Sequence, residues 1–297
     1  MATSHDPLWP AASTLLNAPA RERSVALIGV STYATSLTPR SALSSPAAIR
    51  DALERYSTWS VAQRSDLGEF VSVRDLGDVA SPDEHDGHQR LAEMLASVDD
   101  DLLIVLGGDN AATWLALVAL ARDAISNFGL VTLDAHLDLR DGRSNGSPVR
   151  QLLDAGLDPA CVVQVGLGEF SNSPAYARRA LSQGLTSIPR RAFYDETPES
   201  LARQALTLAG AHGRRVYVDL DLDVVDRAAA PACPAAAPGG LSADELRRFA
   251  REIARDPRVV AVDLTEIDVE RDVNETTVRL AALVVLELLA GVAERAS

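Results

Sequence analysis

Cysteine is scarce in this sequence, which has only Cys161 and Cys233 among its 297 residues. One lies in an apolar run and the other in a loop rich in alanine and proline, so neither a disulfide framework nor a thiolate metal site is indicated. Long hydrophobic runs are also lacking, because no apolar stretch approaches the roughly 18 residues of a membrane helix. Residues 1–21 show no signal-peptide pattern. We therefore expect a cytoplasmic protein that does not enter a membrane.

Basic residues are outnumbered in the chain. It has 28 Lys and Arg residues against 42 Asp and Glu residues, which gives a net charge of −14. A general affinity for nucleic acid or for anionic lipid requires a basic surface, so both classes of partner are excluded. Hydrophobic residues make up 47% of the chain and charged residues 24%, which is typical of a globular protein with a substantial core.

Short aliphatic and β-branched runs recur along the chain and predict strands buried on both faces. They occupy residues 25–29, 70–73, 102–106, 130–133, 162–166, 185–188, 216–220 and 259–264. Segments with helical periodicity occupy residues 46–56, 89–97, 111–124, 174–184, 198–209, 242–254 and 275–294. This alternation predicts an α/β fold, with a parallel sheet of about eight strands and helices on both faces. We expect one domain over residues 1–297, in which residues 1–22 are an N-terminal extension.

Polar residues gather directly after four of the predicted strands. The motifs are G-G-D-N at residues 107–110, D-A-H-L-D at 134–138, D-L-D-V-V-D at 221–226 and D-L-T-E at 263–266. Ligands of parallel sheets bind outside the carboxyl ends of the strands, so these side chains are expected to converge there. The stretch 228–240, which is rich in alanine and proline, is predicted to be a long loop of the same site.

Asp134, His136 and Asp138 alternate along an extended segment, which places their side chains on one face. Asp221 and Asp223 repeat this spacing after another strand. A single aspartate in such a place could cap the next helix, but several crowded carboxylates repel one another unless a cation lies among them. Oxygen ligands with one imidazole favour Mn²⁺, Mg²⁺ or Zn²⁺, and the excess of carboxylates favours Mn²⁺.

As an ordered set, these motifs resemble the ureohydrolase family of arginases, agmatinases and formimidoylglutamases, and residues 46–50 and 75–78 agree with it too. The resemblance implies a three-layer α/β/α, arginase-like fold and two Mn²⁺ ions per chain. In this interpretation Asp134 and Asp221 bridge the ions, Asp138 joins the first ion, and His136 and Asp223 join the second. Relatives are often trimers or hexamers, so a homo-oligomer is expected.

The resemblance also implies roles in catalysis. A hydroxide held between the ions would attack the carbon of a guanidinium or amidinium group, Asp138 would accept a hydrogen bond from it, and Glu266 would hold the cationic substrate. One departure concerns the first ion, because Asn110 replaces a histidine ligand of the family and its amide oxygen is a weaker donor. The first site is therefore predicted to bind metal weakly or to stay empty, unless Asn110 keeps a single oxygen contact.

A second departure is the loop 140–150, which lacks the histidine that arginases carry there. Its candidate substrate-binding residues are Arg140, Ser144, Asn145, Ser147 and Arg150, to which Glu266 is added. Serine and asparagine side chains there would hydrogen-bond the amino-acid end of a substrate, while Arg140, Arg143 or Arg150 would pair with carboxylates. The alternative is an exposed basic loop without a binding role. The other histidines, His5, His85, His88 and His212, are predicted to be surface or structural residues.

This loop and the stretch 166–176 are most similar to those of formimidoylglutamases of histidine degradation. The resemblance therefore implies hydrolysis of N-formimidoyl-L-glutamate, an amidine with two carboxylates, to L-glutamate and formamide. A guanidino substrate, such as arginine, agmatine or guanidinobutyrate, is the first alternative. The second is a catalytically weak family member with a binding role, which the replacement at Asn110 suggests.

Overall fold

A computed structural model describes residues 6, 8–39 and 44–296, and it contains a central sheet of eight parallel strands. The strands are β1 (Arg23–Val30), β2 (Trp59–Ser60), β3 (Ser65–Asp66), β4 (Val71–Asp78), β5 (Leu102–Gly107), β6 (Phe128–Leu133), β7 (Val162–Leu167), β8 (Thr186–Pro189), β9 (Arg215–Asp221) and β10 (Val259–Thr265). The order in the sheet is β4-β1-β5-β10-β9-β6-β7-β8, and β2 and β3 form a separate antiparallel pair. The predicted α/β fold with a parallel sheet is confirmed.

Helices cover both faces of the sheet. They are α1 (Ser45–Ala52), α2 (Gly87–Leu95), α3 (Ala111–Ala121), α4 (Pro148–Asp154), α5 (Pro174–Gln183), α6 (Pro198–Ala209), α7 (Ala243–Arg255) and α8 (Thr276–Ala293). Apolar side chains of α1, α6, α7 and α8 pack into one core cluster, and those of α2, α3, α4 and α5 pack into a second. The sheet lies between these two clusters, so the molecule has three layers.

The structure adds one helix that begins in the loop 140–150 and ends at Asp154, and it shortens another. Helix α4 is a short helix that begins at Pro148, a residue with a φ angle suited to the first turn. The first helix ends at Ala52 and continues as a single 3₁₀ turn, whereas the pattern predicted a helix as far as Tyr56. Helix α7 begins with a capping box, in which the side chains of Ser242 and Glu245 accept hydrogen bonds from each other's backbone amides.

The described part of the N-terminal extension is packed against the sheet. Ala12 and Leu15 lie in a 3₁₀ turn and are buried in the core, and Leu16 forms a parallel bridge with Val73 of β4. The prediction of one domain over residues 1–297 is tested by no comparison and stays a prediction.

Helix α8 is the one helix in the described ranges that is long and apolar enough, by length and composition, to cross a membrane. In this fold 67% of that span is buried inside the protein. It packs against α7 and α1, as the core helix of a layered fold does. The length of α8 is therefore accounted for by the three-layer packing.

Four neighbouring strands position the motifs. Strands β5, β10, β9 and β6 are adjacent in the sheet and run parallel, so their carboxyl ends meet at one edge. The four motifs lie at the carboxyl ends of these strands or directly after them. The sheet thus brings together side chains that lie more than 150 residues apart in the chain.

Candidate metal centre and active site

Asp134, His136 and Asp223 form a compact cluster at this edge. One ligand atom from each residue lies within 4.8 Å of the others. The imidazole Nδ1 of His136 is 3.0 Å from Asp223 Oδ2 and 3.4 Å from Asp134 Oδ1. Two carboxylates and one imidazole therefore converge on a volume suited to one cation.

The two aspartate pairs share a local backbone arrangement. Asp134 Oδ1 accepts a hydrogen bond from the backbone N–H of His136 at 2.7 Å, and Asp221 Oδ1 accepts one from that of Asp223 at 2.8 Å. Asp134 Oδ2 and Asp223 Oδ1 are buried and have no hydrogen-bond partner among the described residues. Buried carboxylate oxygens without a donor are costly, so this cluster fits a divalent cation.

The electrostatics of the cluster lead to the same conclusion. Burial, and then the charge of Asp223, raise the pKa of Asp134 to about 6. Burial and neighbouring carboxylates raise the pKa of Asp138 and of Asp221 well above the usual range. Burial lowers the pKa of His136, but Asp223 and Asp134 outweigh it and raise that pKa to about 12. Without a cation, the site therefore retains protons that a divalent ion would displace.

Asn110, the expected metal ligand, forms hydrogen bonds with three neighbouring side chains. Its Nδ2 donates to Asp138 Oδ2 at 2.5 Å, and its Oδ1 accepts from the hydroxyls of Thr113 at 2.7 Å and Thr265 at 3.3 Å. Two hydroxyl donors thus hold the amide oxygen, and the amide nitrogen faces the carboxylate. In this arrangement Asn110 positions Asp138, and the expected contact of its amide oxygen with a metal stays a prediction.

Glu266 lines the cavity beside the cluster. It is only 4% exposed and has a φ of 67°, an uncommon conformation for a residue with a side chain. Its Oε1 accepts hydrogen bonds from the backbone of Asn110 and from Asn145 Nδ2, both at 2.9 Å. The other end of the Asn145 amide accepts from the backbone of Leu37 at 3.0 Å. Asn145, expected to bind substrate, therefore holds Glu266 in place.

A cavity of about 270 Å³ extends from the cluster of Asp134, His136 and Asp223 to the surface. Its lining includes Leu37, Thr38, His136, Asp138, Arg140, Asn145, Asn172, Tyr176, Asp221, Asp223, Pro234, Ala235 and Glu266. Arg140 is exposed, so a guanidinium lies toward the solvent side while the acidic cluster is buried. The loop 228–240 contributes Pro234 and Ala235, in agreement with its expected place in the site.

Three other predicted substrate contacts do not line the cavity. Ser147 Oγ donates to Ser144 O at 2.8 Å and accepts from Ser144 N at 2.9 Å, so these bonds stabilise the turn between the two serines. Arg150 donates from Nε to Arg140 O at 2.8 Å and pairs with Asp154. Their polar groups are engaged within the loop itself, and we reassign them to shaping it.

The sequence motifs did not assign the cavity roles of Tyr176 and Asn172, although both lie in the stretch 166–176. Arg143, another candidate of the loop, stacks its guanidinium 5.1 Å from the ring centre of Trp114. His88 also lies near Trp114, and His85 and His212 are exposed. None of these three histidines lines the cavity, and His5 lies outside the described residues.

Comparison with known proteins identifies the family. The model of the Arginase family matches residues 23–291. The chain belongs to the arginase family. It is 31% identical over 280 residues to the formimidoylglutamase of Bacillus subtilis (strain 168), a match that covers 90% of this chain and 86% of that protein. The resemblance seen in the motifs is thereby confirmed.

Two solved structures are similar to this fold. The formimidoylglutamase from Bacillus subtilis subsp. subtilis str. 168 has a TM-score of 0.90 and 27% identity, covering all of this chain and 96% of that one. The formiminoglutamase of Trypanosoma cruzi, determined with Mn²⁺, has a TM-score of 0.86, covering 97% of this chain and all of that one. At 21% identity, the second likeness shows the fold alone.

Proposed function

We propose that this protein is a manganese-dependent hydrolase of a linear amidine C–N bond, which converts N-formimidoyl-L-glutamate and water to L-glutamate and formamide. The observation that carries the proposal is the buried cluster of Asp134, His136 and Asp223 in a cavity that also contains Glu266 and the exposed Arg140. A formimidoylglutamase 31% identical over most of the chain supports the same reaction. Its product chemistry would place the enzyme in histidine degradation.

Two metal positions are proposed. His136 and Asp223 would hold one Mn²⁺, Asp138 would hold the other, and Asp134 and Asp221 would be shared between the two positions. The second position has no imidazole, so we expect it to bind more weakly. Divalent cations in such a site supply a nucleophilic water near neutral pH and offset the charge that develops on the substrate.

The substrate is proposed to enter with its amidinium toward Glu266. A planar amidinium offers paired N–H donors, which match the two oxygens of a carboxylate. The hydrogen bonds from Asn110 and Asn145 fix Glu266 Oε1, so the carboxylate is oriented before substrate arrives. Arg140 is then the group placed to pair with a substrate carboxylate at the exposed end.

Asp138 is proposed to carry the proton. It lines the cavity, is 6% exposed and is held through Oδ2 by Asn110. A carboxylate in this position accepts the proton of the attacking water and returns it to the nitrogen that leaves as the amine of glutamate. The carbon–nitrogen bond breaks as that nitrogen is protonated, and the formimidoyl carbon leaves as formamide.

We also propose that the enzyme is cytoplasmic and acts as a homo-oligomer. Both cysteines are buried, and two cysteines provide no disulfide framework, which suits a reducing compartment. No nucleic acid or membrane partner is needed for the reaction, and its one organic substrate is a small molecule.

The test is a substrate panel with Mn²⁺-loaded protein. We expect formamide from N-formimidoyl-L-glutamate and little product from arginine, agmatine or 4-guanidinobutyrate. The substitution Arg140→Ala should raise KM by about 10- to 100-fold with a smaller change in kcat, because the ion pair between Arg140 and a substrate carboxylate is lost. The matched control is Arg178→Ala, an exposed arginine of α5 outside the cavity. Turnover of a guanidino compound without turnover of formimidoylglutamate would overturn the proposal.

A further inference from the structure

Asn172 lies in the loop between β7 and α5 and spans the backbone around His136. Its Oδ1 accepts a hydrogen bond from the backbone N–H of Leu137 at 2.8 Å. Its Nδ2 donates to the backbone carbonyl of Ala135 at 3.0 Å. One side chain therefore binds the peptide groups immediately before and after the imidazole ligand.

The segment around His136 lies beyond the end of its strand, and side chains supply further bonds to its backbone. His136 N donates to Asp134 Oδ1 at 2.7 Å, and Gln164 Nε2 donates to Leu137 O at 2.7 Å. Strand β6 ends at Leu133, and the bond from Asp134 N to Val165 O, at 2.9 Å, is the last one with the neighbouring strand before the segment leaves the sheet. Beyond it, Gly168 N donates to Ala135 O at 3.0 Å. Buried peptide groups that leave a sheet require new partners, and the amide of Asn172 supplies one donor and one acceptor in the manner of a neighbouring strand.

The loop that presents Asn172 is itself anchored. Ser171 N donates to Gly168 O at 3.3 Å, so the chain turns back just before Asn172. Ser173, directly after it, caps α5 by accepting a hydrogen bond from the backbone of Tyr176 at 3.2 Å. A helix cap on one side and a turn on the other restrict the positions that Asn172 can take.

We propose that Asn172 is a positioning residue for the imidazole of His136, and that it thereby sets the Mn²⁺ affinity of the site built on Asp134, His136 and Asp223. Asn172 lines the cavity, but both of its polar atoms are already bound to backbone groups. It acts on the metal through the segment that carries the ligand, and contact with substrate is not its role. This inference rests on the metal centre proposed above.

The expected size of the effect follows from the chemistry of histidine ligands. Partners that orient a ligating residue commonly change metal affinity or activity by about 10- to 100-fold when they are removed. Here Asn172 affects the placement of His136 Nδ1, which lies 3.0 Å from Asp223 Oδ2 while the hydrogen bonds of Asn172 hold the segment. A freer segment lets the ring turn away, and the apparent affinity then falls by the fraction of time spent in the wrong orientation.

The experiment is a calorimetric Mn²⁺ titration of the metal-free unaltered protein, of Asn172→Ala and of the control Asn127→Ala. Asn127 is exposed at the opposite edge of the sheet, just before β6. We expect Asn172→Ala to bind Mn²⁺ about 10- to 100-fold more weakly and Asn127→Ala to bind it normally. Excess Mn²⁺ should restore the kcat of Asn172→Ala, and the Tm of its metal-free form should stay close to that of the unaltered protein.

A second variant guards against simple misfolding. Asn172→Asp keeps the acceptor for Leu137 N but sets an oxygen against the carbonyl of Ala135. The added negative charge by itself would strengthen cation binding, so weaker binding would come from the changed contact with Ala135 O and not from the charge. Unchanged affinity in Asn172→Ala, or no loss in Asn172→Asp where the alanine variant fails to fold, would overturn the inference. If the unaltered protein binds no Mn²⁺, the proposed metal centre is wrong instead.

Discussion

The amino-end edge of the central sheet, where the parallel strands begin, and the carboxyl-end edge, where they end, differ in whether their charged residues have partners within the protein. At the amino-end edge, Arg295 is buried and donates to the carbonyls of Asp101, Ala254 and Val259 at 2.6, 2.8 and 2.9 Å. Nearby, Arg214 pairs with Asp158 at 2.8 Å. These buried or partly buried charges have partners within the protein, so the amino-end edge fastens the layers together.

At the carboxyl-end edge the carboxylates outnumber their donors. Asp134 and Asp223 each keep one buried oxygen without a hydrogen-bond partner among the described residues, and His136 is the one cationic group that contacts both. Such crowding costs stability in the metal-free protein. The comparison teaches that charged residues at the amino-end edge stabilise the fold, whereas those at the carboxyl-end edge lower the stability of the metal-free protein and form the site for a cation and a substrate.

The largest effect is expected from Asp134→Asn, which removes one negative charge from the crowded carboxylates at the carboxyl-end edge. Mn²⁺ binding should be lost and kcat/KM should fall on the order of 10³-fold, because the cation supplies the nucleophile. The Tm of the metal-free protein should rise at pH 7, since a buried carboxylate with a raised pKa is replaced by a neutral amide of the same shape. Metal titration and thermal denaturation check both parts. A lower Tm of the metal-free variant would contradict the comparison.

Arg295→Ala probes the opposite edge and should give the reverse pattern. Three hydrogen bonds from a charged donor to carbonyl oxygens disappear. We expect the free energy of unfolding to fall by about 3 kcal/mol, measured by urea denaturation. The kcat/KM of the Mn²⁺-loaded variant should remain near that of the unaltered enzyme, because Arg295 lies at the other end of the strands. A large loss of kcat/KM with unchanged stability would reverse our assignment of the two edges.

The smallest effect concerns pH. Burial, followed by the charge of Asp223, raises the pKa of Asp134 from 3.8 to about 6. The folded metal-free protein therefore binds more protons than the unfolded chain between about pH 4 and pH 6, and its free energy of unfolding falls as the pH rises through that window. Mn²⁺ competes with those protons, so its stabilising effect grows with pH.

Thermal shifts with saturating Mn²⁺ measure this dependence. We expect the rise in Tm to be larger at about pH 7 than at about pH 5, by a few degrees. The control is Asp134→Asn, which should show no Mn²⁺-dependent rise in Tm at either pH, because its Mn²⁺ binding is expected to be lost. Equal shifts at both pH values in the unaltered protein would show that Asp134 does not exchange a proton for the cation.

The sequence predicted the parts of the site that follow from strand geometry. Asp134 and Asp223 follow parallel strands directly, so their meeting at one edge depends only on the sheet, which hydrophobic runs reveal. Glu266 was found in the same way. The alternation of strands and helices was also enough to predict the eight-stranded sheet.

Residues whose roles depend on several elements could not be assigned. The amide of Asn110 is oriented by hydroxyls of Thr113 in α3 and Thr265 in β10, which only the folded structure brings together. Arg150 looked like a carboxylate partner, but α4 begins at Pro148 and turns its guanidinium back onto the loop. Asn172 belongs to none of the four motifs, because its partners are backbone groups that any residue type provides.

The loop 228–240 has a consequence for how substrate choice can change. Asp226 fastens both of its ends, accepting from Ala228 N at 2.8 Å and from Gly239 N at 2.7 Å. It contributes Pro234 and Ala235 to the cavity, two side chains with no charge and no hydrogen-bonding group. A larger residue at Ala235 would narrow the cavity while leaving the metal ligands and Arg140 in place. Substitutions in this wall are therefore expected to change the size of the molecule that the cavity admits without changing the metal-binding residues.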